Sequence, residues 1–290
     1  MSRALFLGRA GASPAPTLLR AIIVVGAVLP PANAGVAYCR GLAFGGRLAA
    51  ARLLAAPAEP SAAEVESWLK AVDQARNAFG EAVITARATQ IEDGKVSGSA
   101  DFDIYVKGRD RALIVFRGGK NDGRKALTVG EKMWLLVPGA QNPVPITANQ
   151  RLMGGASFGD VARIRFAEDF KAQLRPETER VGERVCRVLD LTAVSPKTPY
   201  PRVTLWLDAP EGQAERLPRK LVFILPSGKP AREVVFTKFK KVKDKTVVAE
   251  MEIRDLLGPH ANSLTRLEYL EIKPAQIDDK IFTPEGARAM

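Results

Sequence analysis

Residues 100–137 read ADFDIYVKGRDRALIVFRGGKNDGRKALTVGEKMWLLV, and this stretch decides the fold. Phe102, Ile104 and Val106 alternate with Asp101 and Asp103, the period-two pattern of a strand with one buried face. Gly108-Arg109-Asp110 breaks the run before Arg111–Phe116, and a Gly-rich break precedes Arg124–Val129. Gly130-Glu131 then makes a tight turn into Lys132–Val137. Connections this short leave no room for crossover helices, so the neighbouring strands are expected to run antiparallel.

The same pattern continues on both sides. Upstream, Glu81–Gln90 leads to the hairpin signal Asp93-Gly94. Downstream come Arg180–Ala193, Arg202–Asp208, Lys220–Leu225, Arg232–Lys240, Thr246–Arg254 and Leu264–Lys273. Together they predict a mainly β, α+β chain of about ten or eleven strands. No stretch between Glu59 and Met290 reads as a linker, so residues 59–290 are expected to form a single domain. One helix precedes the strands. Ser61-Ala62-Ala63-Glu64 has the form of a capping box, and Val65, Trp68, Leu69, Val72 and Phe79 make one apolar stripe ending near Gly80. Pro138–Phe158 reads as irregular, Gly159–Leu174 as mainly helical, and Thr283-Pro284-Glu285 as the start of a short helix.

Composition narrows the function. The 290 residues are 46% hydrophobic and 26% charged, which argues against wholesale disorder. A single histidine, His260, rules out a multi-histidine metal site and forces any Ser-His or Cys-His mechanism through that one residue. Asp101 and Asp103 share a strand face, but with no partner carboxylate at a defined distance they read as a solvated face. The chain is therefore expected to be no enzyme and to need no cofactor or metal.

The first residues read as a leader. Arg3, Arg9 and Arg20 precede the apolar run Ala21–Leu29, and Ala32-Asn33-Ala34 has the small residues of a cleavage site. That is a secretory signal peptide over residues 1–34, since so short a run cannot span a bilayer. Residues 35–58 form a basic Ala/Gly-rich leader whose end, Ala56-Pro57-Ala58, offers a second cleavage site. Removing residues 1–34 takes three of the arginines behind the formal charge of +11, and removing residues 1–58 takes six. Much of the basicity thus lies in the leader, and nucleic acid is not expected as a partner. The run Lys238, Lys240, Lys241, Lys243 and Lys245 reads as a solubilising hairpin tip, or as a contact for an anionic membrane. Cys186 reads as a buried thiol, with pairing to Cys39 open in an oxidising compartment.

Several strands are apolar on both faces: Leu113 and Val115 against Ile114 and Phe116, Trp134 and Leu136 against Leu135 and Val137, Leu221 and Phe223 against Val222 and Ile224. A sheet with one solvated face would alternate. Either something covers each face or one face lines a cavity for an apolar ligand.

Lys132–Pro138, then Gln150–Asp160, then Val185–Ala193 followed by Tyr200-Pro201-Arg202-Val203-Thr204-Leu205-Trp206-Leu207-Asp208, resemble in their order the LolA-like outer-membrane lipoprotein-sorting proteins. The resemblance implies an unclosed, strongly curved antiparallel β-barrel with helices covering the concave face. It also implies a periplasmic carrier, working without nucleotide or metal, whose hollow shields acyl chains of lipoproteins or other lipids, between inner-membrane donor and outer-membrane acceptor proteins. Members of that family use an arginine near the cavity mouth; no arginine here is matched to it. Physical chemistry makes such shielding necessary, since at about 0.8 kcal/mol per CH₂ the exposure of a fifteen-methylene chain to water costs roughly 12 kcal/mol. Strand parity gives Phe102, Ile104, Leu113, Val115, Leu136 and Phe223 as candidate lipid contacts, with the mid-strand rings Trp134 and Trp206. A lipid-sensing module that partners a membrane protein is the alternative on the same scaffold.

Overall fold

The computed structural model describes residues 59–147, 150–153, 156–157, 165–196, 198–209, 216–257 and 263–290, and residues 57–290 cluster as one unit. The expected signal peptide, the leader, Cys39 and His260 lie outside the described residues.

Helix α1 spans Ala62–Arg76. Ser61 supplies its cap, the hydroxyl oxygen accepting the Glu64 N–H at 3.2 Å. The helix stops at Asn77, short of the Phe79 end of the stripe, because the Asn77 backbone leaves the helical region. Phe79 therefore belongs to the following turn, where the Lys245 ammonium lies 5.3 Å from its ring centre.

The sheet begins with β1 (Glu81–Glu92), β2 (Lys95–Lys107), β3 (Arg111–Arg117), β4 (Lys125–Val129), β5 (Lys132–Leu136) and β6 (Val144–Ile146). Two short strands, β7 (Arg151–Met153) and β8 (Ala156–Ser157), pair only with each other. A single helical turn, α2 (Phe166–Asp169), leads into β9 (Phe170–Val181) and β10 (Arg184–Ala193). The chain continues through β11 (Arg202–Asp208), β12 (Pro218–Ile224), β13 (Pro230–Val242), β14 (Lys245–Asp255) and β15 (Ser263–Pro274). A 3₁₀ turn (Asp279–Phe282) and helix α3 (Pro284–Ala289) close it.

Thirteen strands form one antiparallel sheet in the order β6-β5-β4-β3-β2-β1-β15-β14-β13-β12-β11-β10-β9. Among the described residues only the β1–β15 pairing joins distant parts of the sequence; every other neighbour in the sheet is a hairpin or a short connection. The turn residues act as the sequence indicates: Asp93 and Gly94 both adopt positive φ, the geometry of a two-residue hairpin loop between β1 and β2.

Two expectations change. Residues 170–174 are strand rather than helix, because β9 pairs with β10 from Phe170↔Ala193 onward. The run Arg180–Ala193 is likewise not one strand: it folds at Gly182-Glu183, with Val181 opposite Arg184. These changes, together with the short strands inside 138–158, raise the strand number above ten or eleven. The part of the expected helix that covers residues 159–164 lies outside the described residues.

The sheet is open at β6 and β9 and strongly curled. Helix α1 touches both β14 and β9, which are five strand spacings apart in the sheet. On a flat sheet that separation is roughly 24 Å, more than twice the ~10 Å width of a helix with its side chains. The face toward α1 must therefore be concave. Val65, Trp68, Leu69 and Val72 of α1 join one core cluster with residues from both arms of the sheet, among them Phe102, Ile114, Leu189, Leu205 and Ile253. The opposite face of β3–β5 has its own cover. Leu113, Val115, Leu127 and Leu136 pack beneath Ile277, Phe282 and Ala287 of the C-terminal segment. Two separate covers account for β3 and β5 being apolar on both sides.

Candidate functional site

Where α1 leaves the sheet, a hollow of about 450 Å³ opens between the last turns of the helix, the ends of β1–β3, β15 and the α2 turn. Its floor is apolar: Ile84, Ile104, Val106, Ala112 and one side of Tyr269. The register explains this composition. Ile84 pairs with Ile104 and Ile104 with Ile114, while Val106 pairs with Ala112, so one inward row crosses three strands. The small side chain of Ala112 ends that row and leaves space under the helix.

The wall opposite the floor is fixed by Asp73. Its two carboxylate oxygens accept the N–H groups of Phe166 at 2.8 Å and of Ala167 at 3.0 Å, fastening α2 to α1. Burial pushes the Asp73 carboxyl above the usual carboxylate range, although both N–H groups and Arg76 pull the other way. Arg76 lies over the Phe166 ring with its guanidinium carbon 5.3 Å from the centre. Phe166 stacks in turn on Phe170 at 5.9 Å, carrying the wall into β9.

The mouth is charged. Glu168 pairs with the guanidinium of Arg109, from the β2–β3 turn, and at 3.0 Å with that of Arg165. Arg165 also donates to the Arg109 carbonyl. Lys70 pairs with Glu66 at 2.8 Å along the exposed rim of α1. Arg76 also lines the mouth, and Arg111, beside the hollow, pairs with Asp279 at 2.8 Å.

The eight candidate lipid contacts divide between the two faces. Phe102, Ile104 and Phe223 lie in the concave cluster, and Ile104 lines the hollow itself. Phe102 packs edge-on against Phe116 at 5.0 Å, and Phe223 lies 4.6 Å from Tyr200, both away from the hollow's lining. Leu113, Val115, Trp134 and Leu136 sit on the opposite face, under the C-terminal cover. Trp206 also turns away from its concave neighbours Leu205 and Leu207, and its indole N–H donates to Glu179 at 2.9 Å. Parity orders residues within one strand, but it cannot say which side of the next strand continues the row. The pairing Phe102↔Phe116 and Ile104↔Ile114 makes that choice and sends Leu113 and Val115 outward.

Asp73, Arg109, Arg165 and Tyr269 carry no signal in the sequence that would single them out. Each is one polar residue among many, and only the folding of α2 against α1 and of β15 against β1 brings them together. Asp101 and Asp103 form surface pairs with Arg87 and Arg117, both at 2.7 Å, as a solvated face should. The basic hairpin tip is partly engaged: Lys238 meets Glu250 at 2.6 Å, and Lys245 donates to the Ala78 carbonyl at 2.7 Å. Cys186 is buried, which pushes its thiol pKa up and leaves it a poor nucleophile. Among the described residues no group of three or more acidic, His or Cys side chains could hold a metal, and no helix is long and apolar enough to cross a membrane.

A family model described as an uncharacterized protein family matches residues 108–286. No curated protein matches the chain. Among solved structures, a LolA superfamily protein from Nitrosomonas europaea superposes with a TM-score of 0.67 at 23% identity, covering 76% of this chain and 97% of its own. A DUF1329 family protein from Desulfovibrio piger gives 0.65 at 18% identity, covering 77% of this chain and 98% of its own. An outer membrane lipoprotein-sorting protein domain from Vibrio parahaemolyticus gives 0.64 at 15% identity, covering 77% and 97%. At these identities the likeness is one of fold.

Proposed function

The chain belongs to a family of uncharacterized proteins, here with the LolA-like fold, and on that premise we propose that it is a periplasmic carrier that shields lipid acyl chains in the hollow under α1. The observation that carries this reading is the floor of the hollow. Ile84 and Val106, only partly buried, border open space beside the helix, with the buried Ile104 between them in the same inward row. Cavities of this size are ordinary ligand sites, and apolar surface left in contact with water is costly unless something fills it. The proposed cargo is a lipoprotein or free lipid, received from an inner-membrane donor and passed to an outer-membrane acceptor, after export by a cleaved signal peptide. The mature protein is then residues 35–290, or a shorter form cut after Ala58.

Solvent extraction of protein purified from its host's periplasm, with mass spectrometry of the extract, tests the reading. The expected result is a stoichiometric acyl lipid. In the purified protein, Val106→Trp should fill the hollow and abolish binding of an acyl-chain fluorophore while the melting temperature holds. An empty protein that ignores the fluorophore would end the carrier reading and leave an interaction module as the better account.

A further inference from the structure

Within that reading of the hollow, we propose that it takes one acyl chain at a time and selects a chain carried on an anionic headgroup, a phosphate ester or a carboxylate. The volume sets the number of chains. A methylene is comparable in size to a water molecule and occupies roughly the same ~30 Å³. The 450 Å³ hollow, its charged mouth included, therefore admits at most about fifteen methylene-sized groups, room for one chain and not the two of a diacyl phospholipid.

The charge at the mouth sets the headgroup. Lys70, Arg76, Arg109 and Arg165 stand around the opening, and the carboxylates beside them are already committed. Both oxygens of Asp73 are taken by the N–H groups of Phe166 and Ala167. Glu66 answers Lys70, and among the described residues Glu168 serves both Arg109 and Arg165. Arg165 holds on to the Arg109 carbonyl as well, so the two guanidiniums are tethered on one side of the opening. Guanidinium forks bind phosphate and carboxylate oxygens in pairs. An anionic head seated above the floor would take a share of the two forks that one carboxylate now satisfies. A hydroxyl head carries no charge for them, and a second chain finds no floor.

Four lipids with the same sixteen-carbon chain separate the possibilities: palmitate, 1-palmitoyl-lysophosphatidylglycerol, 1-monopalmitoylglycerol and dipalmitoylphosphatidylglycerol. Native mass spectrometry would count bound lipids, and competition with an acyl-chain fluorophore would rank them. One copy of palmitate or of the lysophospholipid should bind roughly tenfold tighter than the monoglyceride, less so as salt rises. Whichever anion binds more tightly identifies the headgroup. The double variant Arg109→Gln/Arg165→Gln should bring the anionic lipids down to the monoglyceride's affinity. The same charge change at Lys241→Gln/Lys243→Gln, on the exposed β13–β14 tip, should keep the preference. Equal affinity for the monoglyceride, loss of preference in the lysine variant, or equally tight uptake of the diacyl lipid would each overturn the proposal while the acyl-binding reading stands. Failure of all four lipids to bind would overturn both.

Discussion

Asp190 illustrates how much of this protein's polar surface is decided by strand pairing. Its two oxygens accept from the Arg175 guanidinium at 2.8 Å each, and one also accepts from the Thr204 hydroxyl at 3.1 Å. The three residues come from β9, β10 and β11, so the cluster exists only when all three strands are in register. Arg175 and then Thr204 hold the Asp190 carboxyl below the usual carboxylate range. A carboxyl with a depressed folded-state pKa adds stability above its unfolded pKa of about 3.9 and loses it as pH falls through the folded value. Asp190→Asn should therefore be less stable than wild type at neutral pH, with the gap closing below about pH 4. Urea unfolding across a pH series reads this directly, and a gap indifferent to pH would refute it. From sequence Asp190 is merely one polar residue of a mixed strand; its partners lie 15 residues before it and 14 after it.

At the scale of elements, the C-terminal cover explains what the doubly apolar strands left open. The 3₁₀ turn and α3 sit on the convex side, with Phe282 and Ala287 against Leu113, Leu127 and Leu136. Their junction has almost no slack. Thr283 caps α3, its hydroxyl oxygen accepting the Gly286 N–H at 3.0 Å. A methyl group on Gly286 would come within 1.9 Å of the Lys280 carbonyl oxygen. That oxygen belongs to the backbone and cannot swing aside. Gly286→Ala should cost about 1–3 kcal/mol and loosen the cover, the usual penalty for overpacking. Thermal unfolding measures the loss, and increased binding of a hydrophobic dye would report exposure of the convex patch. An unchanged melting temperature would mean that the cover can shift without penalty. The helix-start signal at Thr283-Pro284 is plain in the sequence, whereas the face that helix protects is not.

At the scale of the molecule, curling without closure leaves two sheet edges, and each is blunted. β6 has three residues, the middle one Pro145. β9 is long, but its ladder with β10 is interrupted between Leu174 and Thr178, where Pro176 and Glu177 fall. Proline, charge and irregular pairing are the means by which exposed edges avoid recruiting another chain. Replacing Pro176 and Glu177 together by Val should produce concentration-dependent association, visible by size-exclusion chromatography with light scattering; a variant that stays monomeric would show that the curl alone protects the edge. The sequence by itself determined the strand-rich class, the hairpin turns such as Asp93-Gly94 and Gly130-Glu131, the cap and stripe of α1, and the start of the last helix, because each depends on residues close together in the chain. It also carried enough local pattern to point to the LolA-like fold. Only the tertiary structure decided which apolar face is concave, that residues 170–174 extend β9, and which polar side chains ring the hollow. Those features depend on the register between strands and on the docking of α1 and α2 inside the curl. A strand apolar on both sides satisfies the same alternation whichever way it faces, so the choice falls to its neighbours.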